Sequence, residues 1–352
     1  MAKLLSIVIP TYNMEKYLRK CLTSLVVPED KMDKLEVLVI NDGSKDSSSK
    51  IAHEFQDKYP QTFKVVDKEN GNYGSCVNRG LKEYTGKYIK VLDADDSFDN
   101  EALEEFLDKL LSIDVDMVIT DFDKVDPEGN AFFFHRYDFP KAVAFNVKDI
   151  DDSRKLYGLA MHSIAYNRRV FVDLNYKQTE GISYTDQEWT FLPMTKVSTM
   201  EYLPIRVYKY LFGREGQTMN IEVVNKHISH YFKILTNRFS ELSNRKLHVP
   251  GQIEDYLHYK TMVMASFVYR SVLLRKVGSL DDLINLDNMI KKTTPKLYQD
   301  LDKQKTKGPI GFKYVRYFHK HHTYAPSVII WAYTKLYSIF KSGSEKYIAN
   351  NN

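Results

Sequence analysis

The sequence predicts an α/β fold in which a mostly parallel sheet carries helices on both faces, with a helical region at the C-terminal end. Strand-like and helix-like segments alternate through the first 120 residues, and polar clusters follow three of the predicted strands. From about Gly216 the pattern changes to helical segments rich in basic and aromatic residues. Strand–helix alternation is typical of a parallel sheet, because the helices form the crossovers between neighbouring strands.

Short apolar runs bounded by turn residues predict the strands, at 4–10, 35–40, 63–66, 87–92 and 115–120. Apolar residues at helical spacing predict the helices between them, at 15–25, 46–59, 73–84 and 100–111. The later pattern predicts helices at 227–242, 252–277, 280–291 and 296–303. We therefore expect one α/β domain at 1–215 and a mainly helical, basic and aromatic region at 216–352.

The charge is divided unevenly between these two parts. The formal net charge of +4 is the sum of −7 over 1–215 and +11 over 216–352, where 21 Lys and Arg face 10 Asp and Glu. A basic part of this kind suits contact with an anionic partner or surface.

The two cysteines, Cys21 and Cys76, are too few for a disulfide framework, which favours a reducing, cytoplasmic setting. The apolar run at 4–10 is too short for a signal peptide and is interpreted as a strand. No stretch of about 18 uncharged apolar residues occurs, so no membrane-spanning helix is expected.

Two carboxylates in Asp93-Ala94-Asp95 come directly after a predicted buried strand. Ligands of open α/β sheets bind beyond the carboxyl ends of the strands, and carboxylate oxygens are the ligands that hard divalent cations prefer. A cation at this place would offset the charge of a diphosphate leaving group. The alternative is a solvated acidic turn in which Asp96 caps the next helix.

Other polar residues each have a functional and a structural interpretation. Asp42 can accept hydrogen bonds from a base or ribose, or it can belong to a simple Asp-Gly turn. The glycines in 70–75 can bring backbone amides to a phosphate at a helix N-terminus, or they can form a tight turn. Asp186 suits a general base for an acceptor hydroxyl, or it can cap a helix that begins near Gln187.

Five segments together resemble the family 2 glycosyltransferases of the GT-A fold: 6–13, 39–44, 78–81, 86–89 and 92–96. The resemblance covers roughly 1–215 and says little about the rest. It implies a catalytic domain that moves a sugar from a nucleoside diphosphate sugar, here a UDP-sugar, to a hydroxyl, with inversion of the anomeric centre. The Gln-x-x-Arg-Trp signature of processive members is absent, so single or limited addition is expected.

The resemblance also implies roles for single residues. Asp93 and Asp95 are expected to bind Mn²⁺ or Mg²⁺, with Asp95 as the more direct ligand, while a third ligand is left unassigned. Asp186 is expected to be the catalytic base. The nucleotide-sugar site is expected to include Pro10, Thr11, Tyr12, Glu15, Asp42, Asn70, Gly74, Asn78, Arg79, Asp93, Ala94, Asp95 and Arg214.

On the acceptor side the candidates are His162, Glu188 and Trp189, and for His162 a purely structural role is the favoured alternative. Arg214 lies in a segment, 210–218, that resembles a mobile family loop near the diphosphate. There it offsets phosphate charge, or it is simply a surface arginine.

The stretch 308–341 interleaves basic and aromatic residues. It can lie on an anionic membrane surface as an amphipathic helix. The favoured alternative is an appendage that packs on the catalytic domain or on another copy of the chain. His319, His321 and His322 are expected on a solvated basic face, and no nucleic-acid-binding module is recognised.

The sequence therefore favours an enzyme that glycosylates a cell-surface glycan, a teichoic-acid-like polymer or a lipid-linked oligosaccharide, in the cytoplasm or on the inner face of the plasma membrane. One alternative is a nucleotidyltransferase, which would normally carry a Gly-rich, basic loop after the first strand, and 10–13 lacks that. The other is a non-catalytic glycan- or partner-binding protein of the same fold, which the joint presence of Asp93, Asp95 and Asp186 disfavours.

Overall fold

A computed structural model describes residues 3–214, 221–244, 249–306 and 311–335. The chain folds into two compact units: Met1–Gln217 with Val249–Tyr256, and Thr218–His248 with Leu257–Asn352. The predicted tail 342–352, the aromatic residues of 336–341 and positions 215–218 of the predicted loop lie outside the described residues. The predicted boundary near 215 stays a prediction.

The first unit is built on a ten-stranded mixed sheet. Its strands are β1 (Leu5–Thr11), β2 (Leu35–Asn41), β3 (Phe63–Asp67), β4 (Tyr88–Val91), β5 (Ser97–Phe98), β6 (Met117–Val125), β7 (Ala131–His135), β8 (Ala144–Asn146), β9 (Ile164–Asn167) and β10 (Thr199–Leu211). Their order in the sheet is β3-β2-β1-β4-β9-β6-β10-β5, while β7 pairs with β6 and β8 with β10 outside this path.

Strands β1 to β4 are parallel to one another. Every residue of β1 is buried, as its continuous apolar run requires of a strand covered on both faces. The register pairs Thr11 of β1 with Asn41 of β2, and Asn41 with Asp67 of β3. The polar residues that follow these strands are therefore brought to the same edge of the sheet.

The helices of the chain are α1 (Glu15–Thr23), α2 (Glu29–Met32), α3 (Ser48–Lys58), α4 (Asn72–Glu83), α5 (Asn100–Leu110), α6 (Asp186–Trp189), α7 (Ile221–Lys226), α8 (Ile228–Asn244), α9 (Gly251–Arg275), α10 (Leu280–Thr293), α11 (Pro295–Leu301) and α12 (Tyr314–His321). Helix α4 lies close against β1, because a Cβ on Gly80 would stand 2.5 Å from Cγ1 of Val8. Glycine is needed there for the close approach and not for its backbone angles.

The predicted fold class is confirmed, although the second half of the sheet is less parallel than its first half. Strand β9 lies antiparallel between β4 and β6, and β7 runs antiparallel to β6. The long strand β10, which the sequence pattern did not reveal, pairs parallel to β6. The parallel prediction thus holds for β1 to β4 and for the β6–β10 pair.

Helices α7, α8, α10, α11 and α12 belong to the second unit, and α9 contributes its part from Leu257 onward. The predicted helices at 227–242, 252–277, 280–291 and 296–303 correspond to α8, α9, α10 and α11. Within the described ranges, none of the helices is both long enough and apolar enough to cross a bilayer.

Inside the second unit, His319 of α12 lies between two carboxylates. Its Nε2 is 2.9 Å from Oδ1 of Asp287, and its Nδ1 is 2.8 Å from Oδ1 of Asp302. The ring of Tyr298 stacks on the imidazole at 3.9 Å, and the Tyr269 hydroxyl donates a hydrogen bond to Asp287. The solvated basic face predicted for His319 is wrong, since its side chain is 7% exposed, whereas His321 and His322 are exposed.

Candidate active site

The candidate site lies where β1, β2 and β4 end. The backbone amide of Asp42 donates to the carbonyl of Thr11 at 2.8 Å, and the amide of Leu92 donates to the carbonyl of Val8 at 3.0 Å. These bonds extend the parallel pairing by one residue and deliver Asp42 and the acidic segment after β4 to one edge of the sheet. This edge is where ligands of open α/β sheets bind.

The acidic segment after β4 folds into a turn, in which the amide of Asp96 donates to the carbonyl of Asp93 at 3.0 Å. The turn brings the carboxylates of Asp93 and Asp96 near each other. The hydroxyl of Tyr73, on α4, donates to Oδ1 of Asp93 at 2.8 Å. The hydroxyl of Tyr208, on β10, donates to Oδ2 of Asp96 at 2.5 Å, and the amide of Leu211 donates to its Oδ1 at 2.7 Å.

Burial raises the pKa of both carboxyl groups. For Asp93 the pKa rises to about 7, first because of burial and then because of the neighbouring charge of Asp95. For Asp96 the same two causes, with Asp93 added, raise the pKa well above its usual range. A set of buried carboxylates that repel one another is costly for the fold alone, and a bound cation would relieve that cost.

His162 completes this cluster from the opposite side. It precedes β9 in a short turn, and one ligand atom each of Asp93, Asp96 and His162 lie within 4.8 Å of one another. Its Nδ1 is buried and has no hydrogen-bond partner in the described part of the chain. Burial, followed by the charge of Lys90, lowers the pKa of His162 to about 3, so its imidazole is neutral. An unpartnered neutral imidazole beside two carboxylates is a donor set that fits Mn²⁺, and with less preference Mg²⁺.

Asp95, which the family resemblance implied to be the more direct metal ligand, pairs with Arg214. Its Oδ2 accepts a hydrogen bond from Nε of Arg214, and both side chains are largely buried, at 12 and 13% exposure. The guanidinium of Arg214 also lies 5.3 Å from the ring centre of Tyr17. The structure thus places Arg214 beside the acidic turn, while its predicted contact with a diphosphate and metal ligation by Asp95 stay predictions.

Asp42 is held by the protein on several sides. Its carboxylate pairs with Nζ of Lys68 at 2.5 Å and accepts the amides of Gly71 at 3.0 Å and Asn72 at 2.9 Å. The side chain of Asn70 donates to its backbone carbonyl at 3.0 Å. Asp42 therefore fixes the loop before α4, and its predicted contact with a base or ribose stays a prediction.

The loop after β1 is fixed by the loop after β2. Asn13, with a φ of 54°, accepts the amide of Lys45 at 2.8 Å, and Glu15 accepts the amide of Ser47 at 2.9 Å. Asn13 thus precedes α1 without capping it. Tyr12 is 46% exposed at the tip of this loop, directly after Pro10 and Thr11 at the end of β1. The ring of Tyr12 is thus accessible to solvent at the edge of the sheet, and its predicted nucleotide contact stays a prediction.

Three other predicted nucleotide residues have partners elsewhere in the structure. The carboxamide of Asn78 is buried and bonds the backbone of Gln178 and the side chain of Glu180. Gly74 lies so close to the same loop that a Cβ would stand 2.2 Å from the carbonyl oxygen of Thr179. Arg79 pairs with Glu83 one turn along α4. These contacts give Asn78 and Gly74 a packing role that the sequence did not predict.

Asp186 is the first residue of the four-residue helix α6, so it begins this helix and is not its cap. Its Oδ2 accepts a hydrogen bond from Nε2 of Gln187 at 3.1 Å. The charge of Asp186 contributes, after burial and nearer groups, to the raised pKa values of Asp93, Tyr73 and Tyr210. The structure therefore places Asp186 within electrostatic range of Asp93, although Asp93 lies 93 residues earlier in the chain.

The family model described as "Glycosyl transferase family 2" matches residues 6–174. An uncharacterised glycosyltransferase of Mycoplasma genitalium, MG060, is 35% identical over 222 residues, which are 62% of this chain and 72% of that protein. The chain belongs to glycosyltransferase family 2.

Other relatives of this family 2 chain differ in length. GlyA of Streptococcus pneumoniae is 30% identical over 131 residues, which are 37% of this chain and 18% of that protein. TarS of Staphylococcus aureus is 23% identical over 287 residues, which are 80% of this chain and 47% of TarS. The chain spans between 18 and 41% of the length of the first curated relatives that it matches.

The solved structure of residues 1–349 of TarS, in complex with UDP-GlcNAc, has a TM-score of 0.69 with this family 2 chain. The two are 20% identical, and the alignment covers 92% of this chain and 93% of that one. At this identity the likeness shows the fold alone, and it confirms the GT-A architecture.

Two of the acceptor-side candidates of the family 2 chain, Trp189 and Glu188, have partners within the protein. Trp189 is 1% exposed and packs in the interior against Tyr166 and Phe171, so an acceptor cannot reach its ring without rearrangement. Glu188 accepts the amide and the hydroxyl of Thr179, both at 2.7 Å. Trp189 and Glu188 thus support the helix that carries Asp186, and the predicted contact of Glu188 with an acceptor stays a prediction.

Proposed function

We propose that this protein transfers a sugar from a nucleoside diphosphate sugar to an acceptor hydroxyl with inversion of the anomeric centre. The observation that carries the proposal is the meeting of Asp93, Asp96 and His162, with Asp186 near enough to affect the pKa of Asp93. The buried Nδ1 of His162 has no hydrogen-bond partner among the described residues. Membership of family 2 supports the same reaction class.

Asp93, Asp96 and His162 would hold a divalent cation, Mn²⁺ or Mg²⁺, and Asp95 would join them if it left Arg214. When bound, such an ion supplies positive charge that stabilises a diphosphate leaving group. Asp93 and Asp95 were the expected ligands, and the geometry adds Asp96 and His162 as candidates.

The side chains of the protein supply the remaining chemistry. Asp186 would accept the proton of the acceptor hydroxyl as its oxygen attacks the sugar. Arg214, freed from Asp95, would offer its guanidinium to the diphosphate. Tyr73 holds Asp93 in place, because burial keeps the pKa of its hydroxyl well above the usual range and the hydroxyl stays a donor.

For the donor we propose a UDP-sugar, a UDP-hexose or a UDP-N-acetylhexosamine. TarS, whose fold this chain shares, was solved with UDP-GlcNAc, and this supports the choice. The acceptor classes are a cell-surface glycan, a teichoic-acid-like polymer and a lipid-linked oligosaccharide. Family membership weighs against a nucleotidyltransferase, and the acidic cluster weighs against a non-catalytic binding protein.

We expect one sugar nucleotide to stabilise the full chain against heat in the presence of Mn²⁺. In a panel of UDP- and dTDP-sugars at about 100 times its dissociation constant, the bound donor should add about 2.7 kcal/mol to the free energy of unfolding. The gain should disappear with EDTA. No stabilisation by any sugar nucleotide, with or without Mn²⁺, would contradict the proposed function.

The affinity for Mn²⁺ should rise with pH. Burial raises the pKa of Asp93 in the folded protein to about 7, above its ordinary value of 3.8, so the apo protein loses stability as the pH rises from about 4 to about 7. A metal ligand must be ionised, and the apparent Mn²⁺ affinity should be about tenfold higher at pH 8 than at pH 6. Thermal-shift titrations at both pH values measure it.

The matched variants for this titration are Asp93→Asn and, as a control, Asp57→Asn on the exposed face of α3. Asp93→Asn should abolish the Mn²⁺-dependent shift at both pH values, while Asp57→Asn should behave as the wild type. Equal Mn²⁺ affinities at pH 6 and pH 8 in the wild type would refute the raised pKa of Asp93 as the controlling group.

We also propose a cytoplasmic setting, with peripheral contact between the C-terminal region and a membrane surface or another copy of the chain. Trp331 and Val328, at the end of the described residues, are 63 and 67% exposed. Their exposure supports a surface role for this segment, in which Lys335 lies 5.1 Å from the centre of the Trp331 ring.

A further inference from the structure

An exposed aromatic surface lies on the first unit beside the candidate active site. Strand β7 presents Phe133, which is 45% exposed, and the residue after β10, Phe212, is 38% exposed. Nζ of Lys124, on β6, lies 5.1 Å from the ring centre of Phe133 and 5.2 Å from that of Phe212. We call Lys124, Phe133 and Phe212 the β6–β7 surface.

The surroundings of the Lys124 ammonium group are aromatic and not acidic. No carboxylate forms an ion pair with it among the described residues. Arg206 on the neighbouring strand offers a contrast, because it lies over Phe134 at 5.2 Å and also pairs with Asp123 at 3.2 Å. Among the described residues, Nζ of Lys124 therefore lies near two aromatic rings and no carboxylate pairs with it, so it can offer an ammonium group to an anion that reaches this place.

Contacts between aromatic rings connect the β6–β7 surface with the candidate active site. Tyr210 lies 6.2 Å from Phe212 and 4.7 Å from the ring of His162. On the β7 side, His135 stacks on Phe122 at 4.7 Å, and Phe122 contacts His162 at 5.0 Å. Two rows of rings thus connect His162 to the exposed phenylalanines.

Tyr210 lies between the candidate active site and the β6–β7 surface. Its ring centre is 4.7 Å from that of His162 and 6.2 Å from that of Phe212. An acceptor chain whose hydroxyl is presented at the candidate active site can therefore extend past Tyr210 onto the β6–β7 surface.

We propose that the β6–β7 surface binds the acceptor, and that the acceptor is a glycan carrying phosphodiester groups. This rests on the proposed function. The exposed rings of Phe133 and Phe212 offer apolar faces with negative potential to the C–H groups of a sugar or polyol. Lys124 between them meets the negative charge of the adjoining phosphate. A neutral glycan would use the rings and leave the lysine unpaired.

The test measures equilibrium binding to the full chain without any sugar nucleotide. Poly(glycerol phosphate) and a neutral dextran of similar chain length serve as the two probes, at low and at physiological salt. The variants are Lys124→Gln, Lys124→Arg, Phe133→Leu and Phe212→Leu. Lys109→Gln, a lysine-to-glutamine change at an exposed position of α5, is the matched control.

The wild type should bind poly(glycerol phosphate) at least about tenfold more tightly than dextran, with an affinity that falls as salt is added. Lys124→Gln should weaken this binding about tenfold, Lys124→Arg should restore most of it, and each Phe→Leu change should weaken it several-fold. The Lys109→Gln control should bind as the wild type does.

Equal affinity of Lys124→Gln and wild type for poly(glycerol phosphate) would overturn the proposal. So would equal affinity of the wild type for both polymers, or no measurable binding of either. The proposed function is judged separately, by stabilisation with sugar nucleotides, so the loss of one leaves the other standing.

Discussion

Asp186→Asn should lose transfer activity while it keeps its affinity for the donor. A general base contributes about 10²–10⁴-fold to a rate, and asparagine cannot take up the acceptor proton, so turnover should fall by that factor. In the proposed function the donor binds against the acidic turn after β4, and asparagine has the same shape as aspartate, so the donor dissociation constant should change by less than about twofold. Initial rates and donor titrations measure the two effects.

The structure makes Asp57→Asn a suitable control, because Asp57 is an exposed residue of α3 and the change is chemically the same. It should leave turnover at the wild-type value. Asp186 lies at the start of α6, which Trp189 anchors in the interior, so the substitution should not displace the helix. Turnover of Asp186→Asn within a factor of ten of the wild type would remove Asp186 from the proposed mechanism.

The sequence predicted the elements of the fold that a local residue pattern specifies. Strands β1 to β4 are short apolar runs that end in turn residues, and the helices between them have a regular apolar spacing. The sequence pattern did not predict strand β10, because its thirteen residues alternate irregularly between buried and exposed and include Pro204. Its place is set by pairing with β6, more than seventy residues earlier, which no local pattern records.

The sequence likewise predicted some residues of the candidate site and missed others. Asp93 could be found because it follows a buried strand, and the strand ends of a parallel sheet share one edge. The sequence named His162 as an acceptor-side candidate, but it did not reveal that His162 meets Asp93 and Asp96. That meeting depends on β9, whose antiparallel register pairs Tyr88 with Asn167 and so returns the chain to β4. An isolated histidine in a sequence carries no sign of that register.

Asn78 has contacts that the sequence did not reveal, while its predicted nucleotide contact stays a prediction. A polar residue one turn into a helix that starts at the site edge is expected to face the cleft. Its carboxamide instead bonds the backbone at Gln178, one hundred residues later, at 2.8 and 2.9 Å. A buried amide needs partners for both its donor and its acceptor, and the loop before α6 provides them. Asn78 thus helps to fix the loop that precedes Asp186.

His319→Ala should destabilise the second unit by about 3–5 kcal/mol, because it removes one partner of a buried ionisable group. Asp287 is 2% exposed, and its Oδ1 faces Nε2 of His319 and the hydroxyl of Tyr269. Without the imidazole, Asp287 keeps one hydrogen bond, and Tyr298 loses the ring on which it stacks. Backbone hydrogen exchange in α10 and α12 measures the loss as faster local opening.

The neighbouring His321→Ala is the matched control, since His321 is exposed on the same helix and its removal should change stability by less than about 0.5 kcal/mol. The double variant Asp287→Leu/His319→Leu separates two causes of the loss. If the unpaired carboxylate dominates, the double variant should be more stable than His319→Ala, because no charge is left buried. Unchanged exchange in His319→Ala would mean that water or Tyr269 satisfies Asp287 fully, and the cluster would then contribute nothing to the packing of α10 against α12.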